Sequence, residues 1–162
     1  MDVKQRAARV KLVVFDVDGT LTDGRLYYGA GGEELKVFHV QDGYGIKRLL
    51  KAGVKVAIIS GRDSAAVTRR MQDLGIEHVF QGDEHKLPLL ERLLKKLDLT
   101  LEQVACVGDD LPDLPLLDHA GLAIAVHNAR PQIKAVAHHV TSAQGGLGAV
   151  REICDLILEA RT

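Results

Sequence analysis

With 162 residues, the chain has the length of one domain able to bury roughly 70% of its unfolded surface, and a single domain over residues 1–162 is expected. Hydrophobic residues at 46% and charged residues at 27% exclude a disordered or fibrous chain. A net charge of −1 gives no electrostatic case for nucleic acid or a membrane as partner. The polar, basic start from Met1 to Lys11 and the lack of an apolar run of membrane-spanning length predict a cytoplasmic protein. Cys106 and Cys154 lack CxxC spacing and read as buried, reduced thiols.

Met1 to Arg9 reads as a short, loosely held lead-in. Val10 to Phe15 is a β-branched apolar run suited to a buried parallel strand. It runs into Asp16-Val17-Asp18-Gly19-Thr20, where carboxylates two residues apart emerge on one side of an extended chain. Like charges this close require a cation or a shared proton nearby. Two strand-like runs around the glycine-rich Gly29 to Gly32 predict a β-hairpin over about 24–40. Gln41 to Gly45 reads as a turn into a helix with Ile46, Leu49 and Leu50 at helical spacing and Gly53 at its end.

Val54 to Ile59 is the next buried strand, ending in Ser60-Gly61-Arg62. A helix with Val67, Met71 and Leu74 on one face follows. A short strand at His78 to Phe80 leads to a helix that starts near Lys86, with Leu87, Leu90, Leu94 and Leu97 inward. Val104 to Val107 is a fourth strand, running into Gly108-Asp109-Asp110-Leu111-Pro112-Asp113, where Asp110 suits an N-cap and Pro112 a first turn. Leu122 to Val126, a helix near Pro131 to Ala137, an edge strand at His138 to Val140 and a last helix around Val150 to Leu158 complete the chain. Strands alternating with helices define an α/β class with a mainly parallel sheet.

Four strand ends therefore carry polar chemistry, and each suits phosphoryl transfer. A carboxylate such as Asp16 can form an aspartyl-phosphate. Asp18 can protonate the leaving oxygen and then deprotonate water. Ser60 and Lys86 can hold phosphoryl oxygens. Asp16, Asp109 and the main-chain carbonyl of Asp18 offer hard oxygen ligands for Mg²⁺. Asp110 and Asp113 would stand behind them.

DxDGT, the serine, the lysine and GDDxxD, in this order and each just past a strand, resemble the four motifs of the haloacid dehalogenase (HAD) phosphatase superfamily. The resemblance implies a Rossmannoid three-layer sandwich, with Asp16 as nucleophile and Asp18 as acid and base. The intervals from Asp16 to Ser60 and from Ser60 to Lys86 leave no room for a cap domain, so the hairpin stands in its place. Gly32 to Lys47 (GEELKVFHVQDGYGIK), ISGR, GDDLPD and GGLGAVREICDLIL resemble the 3-deoxy-D-manno-octulosonate 8-phosphate (KDO-8-phosphate) phosphatase family over nearly the whole chain. That implies a Mg²⁺-dependent homotetramer hydrolysing a sugar acid phosphate in lipopolysaccharide synthesis, with neighbouring subunits completing each site.

Arg62 and Arg70 match arginines of the family pattern and suit the substrate carboxylate. Asp42 is either a sugar-binding or a turn-forming residue, and Gly145 to Gly148 either covers a neighbouring site or makes a turn. Two alternatives stand beside this reading. One is a phosphatase of the nine-carbon KDN-9-phosphate. The other is a non-catalytic HAD module serving oligomerisation, which could dispense with the acids and lysine that this chain keeps. The exposed apolar residues expected on the hairpin, from Leu26 to Val40, favour self-association.

Overall fold

The computed structural model describes residues 1–162. Its central sheet has six strands, all parallel: β1 (Leu12–Phe15), β4 (Lys55–Ser60), β5 (His78–Gln81), β6 (Val104–Gly108), β7 (Leu122–Ala125) and β8 (His139–Val140). Their spatial order is β5-β4-β1-β6-β7-β8. The chain winds outward from β1 in one direction through β4 and β5, then returns to β6 on the other side. Because such crossovers are right-handed, the reversal sends successive helices to opposite faces. On one face lie α2 (Val40–Lys51) and α3 (Ala65–Leu74), with α1 (Val3–Ala8) and α7 (Ala149–Ala160) packed alongside. On the other lie α4 (Lys86–Leu97), α5 (Leu114–His119) and α6 (Pro131–Val136). The resulting three layers are those expected. Every residue of β1 is buried, which is why it reads as an uninterrupted apolar run. The reversal between β4 and β6 opens a crevice at the carboxyl end of β1, where open α/β sheets place ligands.

Four local expectations are corrected. The lead-in is helix α1, closed by a reciprocal cap between Asp2 and Gln5 and docked through buried Ala7 and an Arg6 bond to the Gly121 carbonyl (2.6 Å). Gln41 to Gly45 is no turn: α2 already begins at Val40, with His39 as N-cap. Its glycines serve packing, since a Cβ at Gly45 would stand 3.0 Å from the Cβ of Cys154 on α7, and one at Gly43 would collide with Arg70. Helix α4 buries Leu89, Leu90, Leu93 and Leu94, a face rotated from the predicted one, while Leu87 and Leu97 are only partly covered. The hairpin is present but short: β2 (Tyr27–Tyr28) and β3 (Glu34–Leu35) pair antiparallel outside the main sheet. Leu26, Tyr27, Tyr28, Val37 and Val40 are exposed as expected, and Leu35 is exposed beside them, whereas Phe38 packs against the core.

Candidate active site

Asp16 is the first residue beyond β1, its N–H still bonded to the Val107 carbonyl of β6 (3.3 Å). The chain then turns at Gly19, whose φ of +86° only glycine adopts without strain. A Cβ there would also occupy the place of the Asp109 carboxylate, so the glycine admits that acid to the crevice. Thr22 Oγ1 closes the loop by accepting from the N–H groups of Gly19 and Gly24, each at 3.2 Å. Asn128 ties it to the glycine-rich segment of its own chain, donating to the Gly19 carbonyl (2.9 Å) and accepting from Gly145 N–H (2.7 Å).

Lys86, the first residue of α4, turns its side chain inward and is almost wholly buried. Its Nζ donates to Asp16 Oδ1 at 2.9 Å and to Asp113 Oδ1 at 2.7 Å. Burial works against its charge, but the two carboxylates more than offset that and hold its pKa above the usual lysine value. Asp113 ends the 3₁₀ turn Leu111–Asp113, which Asp110 caps through Leu111 N–H (2.8 Å). The other oxygen of Asp113 accepts from the N–H groups of Asp109 (3.0 Å) and Asp110 (3.3 Å). Asp113 is thus fully occupied and orients its neighbours. Ser60 ends β4, buried, on the opposite wall.

The cleft these elements enclose has a volume of about 310 Å³ and no hydrophobic residue in its lining, which comprises Asp16, Asp18, Ser60, Arg62, Lys86, Asp109, Asp110 and Asp113 with Gly24, Gly61, Glu84 and Pro112. A larger groove of about 630 Å³, between Arg9, Lys11, Glu102 and Arg161, lies at the amino ends of β1 and β6 and brings no such cluster of carboxylates together.

Oxygens of Asp16, Asp109 and Asp113 lie within 4.8 Å of one another. Against them stands one buried ammonium. Burial and the Asp113 charge push Asp16 up to about 6, despite Lys86. Burial, then Asp16, Asp113 and Asp110, push Asp109 up to about 9. The cluster lacks positive charge, and the carboxyls of Asp16 and Asp109 face each other. With Asp113 spent on Lys86 and two amides, Asp16 and Asp109 are the pair suited to a hard divalent cation.

Of the expected substrate contacts, the structure brings Arg62 to the cleft. Its Nη2 donates to Glu34 (2.7 Å) and its Nε lies 3.6 Å from Asp18 Oδ2. Arg70 and Asp42 are not there. They line a separate, small hollow with Phe38, Met71 and Leu74. Arg70 lies over the Phe38 ring, and buried Asp42 accepts from Arg151 N–H at the start of α7 (2.9 Å). Asp42 thus supplies the cap that Gly148 lacks. Sequence reasoning missed Glu34, Lys36, Glu84 and Asn128. The alternation Glu34-Leu35-Lys36-Val37 was a usable signal for the first two, since it puts both charges on one side of an extended chain. Nothing marked Asn128.

Fold and site together define a haloacid dehalogenase-like hydrolase, the family that residues 78–152 match. Similarity extends much further than that segment. The 3-deoxy-D-manno-octulosonate 8-phosphate phosphatase of Yersinia pestis is 49% identical over 160 residues, 99% of this chain and 86% of that protein. The enzyme of that name from Moraxella catarrhalis, solved in complex with magnesium, phosphate and KDO, is 48% identical with a TM-score of 0.96, covering 98% of this chain and 91% of that one. The cobalt-bound deoxy-D-mannose-octulosonate 8-phosphate phosphatase of Haemophilus influenzae is 46% identical with a TM-score of 0.93, covering 97% and 92%. The chain belongs to the 3-deoxy-D-manno-octulosonate 8-phosphate phosphatase family.

Proposed function

We propose that this chain is a Mg²⁺-dependent phosphomonoesterase that hydrolyses 3-deoxy-D-manno-octulosonate 8-phosphate to KDO and phosphate. The observation that carries the reading is Asp16, buried at the carboxyl end of β1 with one oxygen held by Lys86 and its carboxyl beside Asp109 in a cleft rich in carboxylates. The named relatives support the substrate and the metal. Asp16 attacks phosphorus, and the bond to the sugar oxygen breaks as Asp18 donates its proton to that oxygen. Asp18 then takes a proton from water, which attacks the aspartyl-phosphate and releases phosphate, returning Asp16 as a carboxylate. Ser60 and Lys86 hold the phosphoryl oxygens, and Arg62 reads the substrate carboxylate. Mg²⁺, held by Asp16, Asp109 and the carbonyl of Asp18, would supply positive charge for the phosphoryl oxygens when bound.

The same reading includes a homotetramer in the cytoplasm, supplying the free sugar acid for lipopolysaccharide. Exposed Leu26, Tyr27, Tyr28, Leu35 and Val37 support the assembly, because a two-stranded ribbon this apolar is marginal in water. No helix is long and apolar enough to cross a membrane. Phosphate release across a panel of sugar acid phosphates, with KDN-9-phosphate included, tests the function. KDO-8-phosphate is expected to have the highest kcat/KM, and Asp16→Asn to lower kcat by about 10⁴-fold or more. Equal turnover of the whole panel, or an active Asp16→Asn protein, would overturn it.

A further inference from the structure

We propose that Lys36, on the hairpin, is a positioning residue for Asp18, locked in place by Glu34; the proposal rests on Asp18 being the acid–base group. Side chains alternate along β3 and the segment that follows it: Glu34, Lys36 and Phe38 turn inward, while Leu35 and Val37 face out. The ammonium of Lys36 lies 2.6 Å from Asp18 Oδ1 and 2.6 Å from Glu34 Oε1, and its side chain is only 2% exposed. Glu34 Oε2 accepts from Arg62 Nη2 at 2.7 Å, and Arg62 Nε returns to Asp18 Oδ2 at 3.6 Å. The four groups form a closed ring of alternating sign: Asp18, Lys36, Glu34, Arg62 and back to Asp18.

Burying a long, flexible ammonium costs desolvation and rotamer entropy, so a lysine held this way is fixed by its partners. Asp18 sits on a loop beyond the sheet, and nothing else holds its side chain: its hydrogen bond and ion pairs all lead to Lys36 and Arg62. One oxygen is gripped from the hairpin and the other from the β4–α3 loop, so the plane of the carboxyl is set from both sides. An acid must meet the leaving oxygen in line with attack, and a misplacement of about 1 Å can cost about 100-fold in rate. The hairpin thereby reaches the chemistry within its own chain, apart from any part it has in assembly.

Proton donation matters most for a poor leaving group such as a sugar alkoxide and least for 4-nitrophenolate. The test compares kcat and KM on the sugar acid phosphate and on 4-nitrophenyl phosphate for the wild type, Lys36→Met, Lys36→Arg, Glu34→Gln and Asp18→Asn. Lys36→Met is expected to lower kcat about 100-fold on the sugar phosphate and under about 10-fold on the aryl ester. Lys36→Arg should recover much of the loss. Glu34→Gln, a milder change that leaves the lysine in place, should show the same split in smaller measure and serves if Lys36→Met does not fold. Equal losses on both substrates, or a rise in KM for the sugar phosphate with kcat unchanged, would overturn the proposal. If Asp18→Asn shows the split and the Lys36 and Glu34 variants do not, the positioning role alone falls. If Asp18→Asn itself shows none, the acid–base assignment falls and takes the proposal with it.

Discussion

Lys86 and Asp113 stand 27 positions apart in the chain, yet their charges meet at 2.7 Å with almost no solvent at either side chain. The same ammonium reaches Asp16, so one lysine joins the β1 crevice to the turn after β6. Removing it leaves two buried carboxylates without a counter-charge. Lys86→Met is expected to lower the unfolding free energy by about 3 kcal/mol in urea denaturation. Adding Asp113→Asn to that variant should restore part of the loss, because the second buried charge is then gone.

The acid cluster makes stability depend on pH and on divalent metal. Burial and neighbouring carboxylates raise Asp16 to about 6 and Asp109 to about 9 from an ordinary 3.8. A carboxyl raised on folding stabilises the fold while protonated, and that contribution is lost as pH climbs through the folded value. In chelator, Tm should therefore be highest near pH 4 as far as these groups decide it, and fall towards pH 9. Mg²⁺ should raise Tm most at the alkaline end of that window. Asp109→Asn should remove most of the Mg²⁺ effect and flatten the metal-free profile; thermal unfolding with and without Mg²⁺ at several pH values checks both.

Asp42 lies at the start of α7 rather than in the cleft. Its replacement is expected to act on stability and not on substrate affinity. Asp42→Ala should cost about 1 kcal/mol or somewhat more, as lost helix caps do. KM for the sugar acid phosphate should stay within about twofold, since Asp42 does not line the cleft. A large rise in KM at unchanged stability would return Asp42 to the substrate.

Charges on the outer side of the hairpin separate assembly from chemistry. Leu35→Lys with Val37→Lys replaces two exposed residues that face away from the Asp18 ring. Sedimentation is expected to show a smaller species than the wild type, with kcat/KM lowered for the sugar acid phosphate and little changed for 4-nitrophenyl phosphate. Phe38 is unsuited to this experiment, because it packs inward and a charge there would test folding.

Much of the site was legible because strand ends announce themselves. Leu12 to Phe15, Val56 to Ile59 and Val104 to Val107 are apolar on both faces, so the first polar residues after them must emerge at the sheet edge. Period-2 geometry then puts Asp16 and Asp18 on one side, and the order of motifs brings Ser60, Lys86 and Asp109 to the same end of a parallel sheet. Gly43 and Gly45 misled, because a glycine that admits a neighbouring helix has the same one-letter signature as a glycine that turns the chain.

What the sequence by itself determined is therefore the sheet, its catalytic edge and the residue types gathered there. Only the tertiary structure decided which charges meet: Lys86 with both Asp16 and Asp113, Lys36 and Arg62 with both Asp18 and Glu34, Asp42 with α7 instead of the cleft. Local patterns record which way a side chain points along its own element. Ion pairs between distant segments depend on how far those elements are rotated and shifted when their apolar faces pack, and that is set by the shapes of the whole core at once.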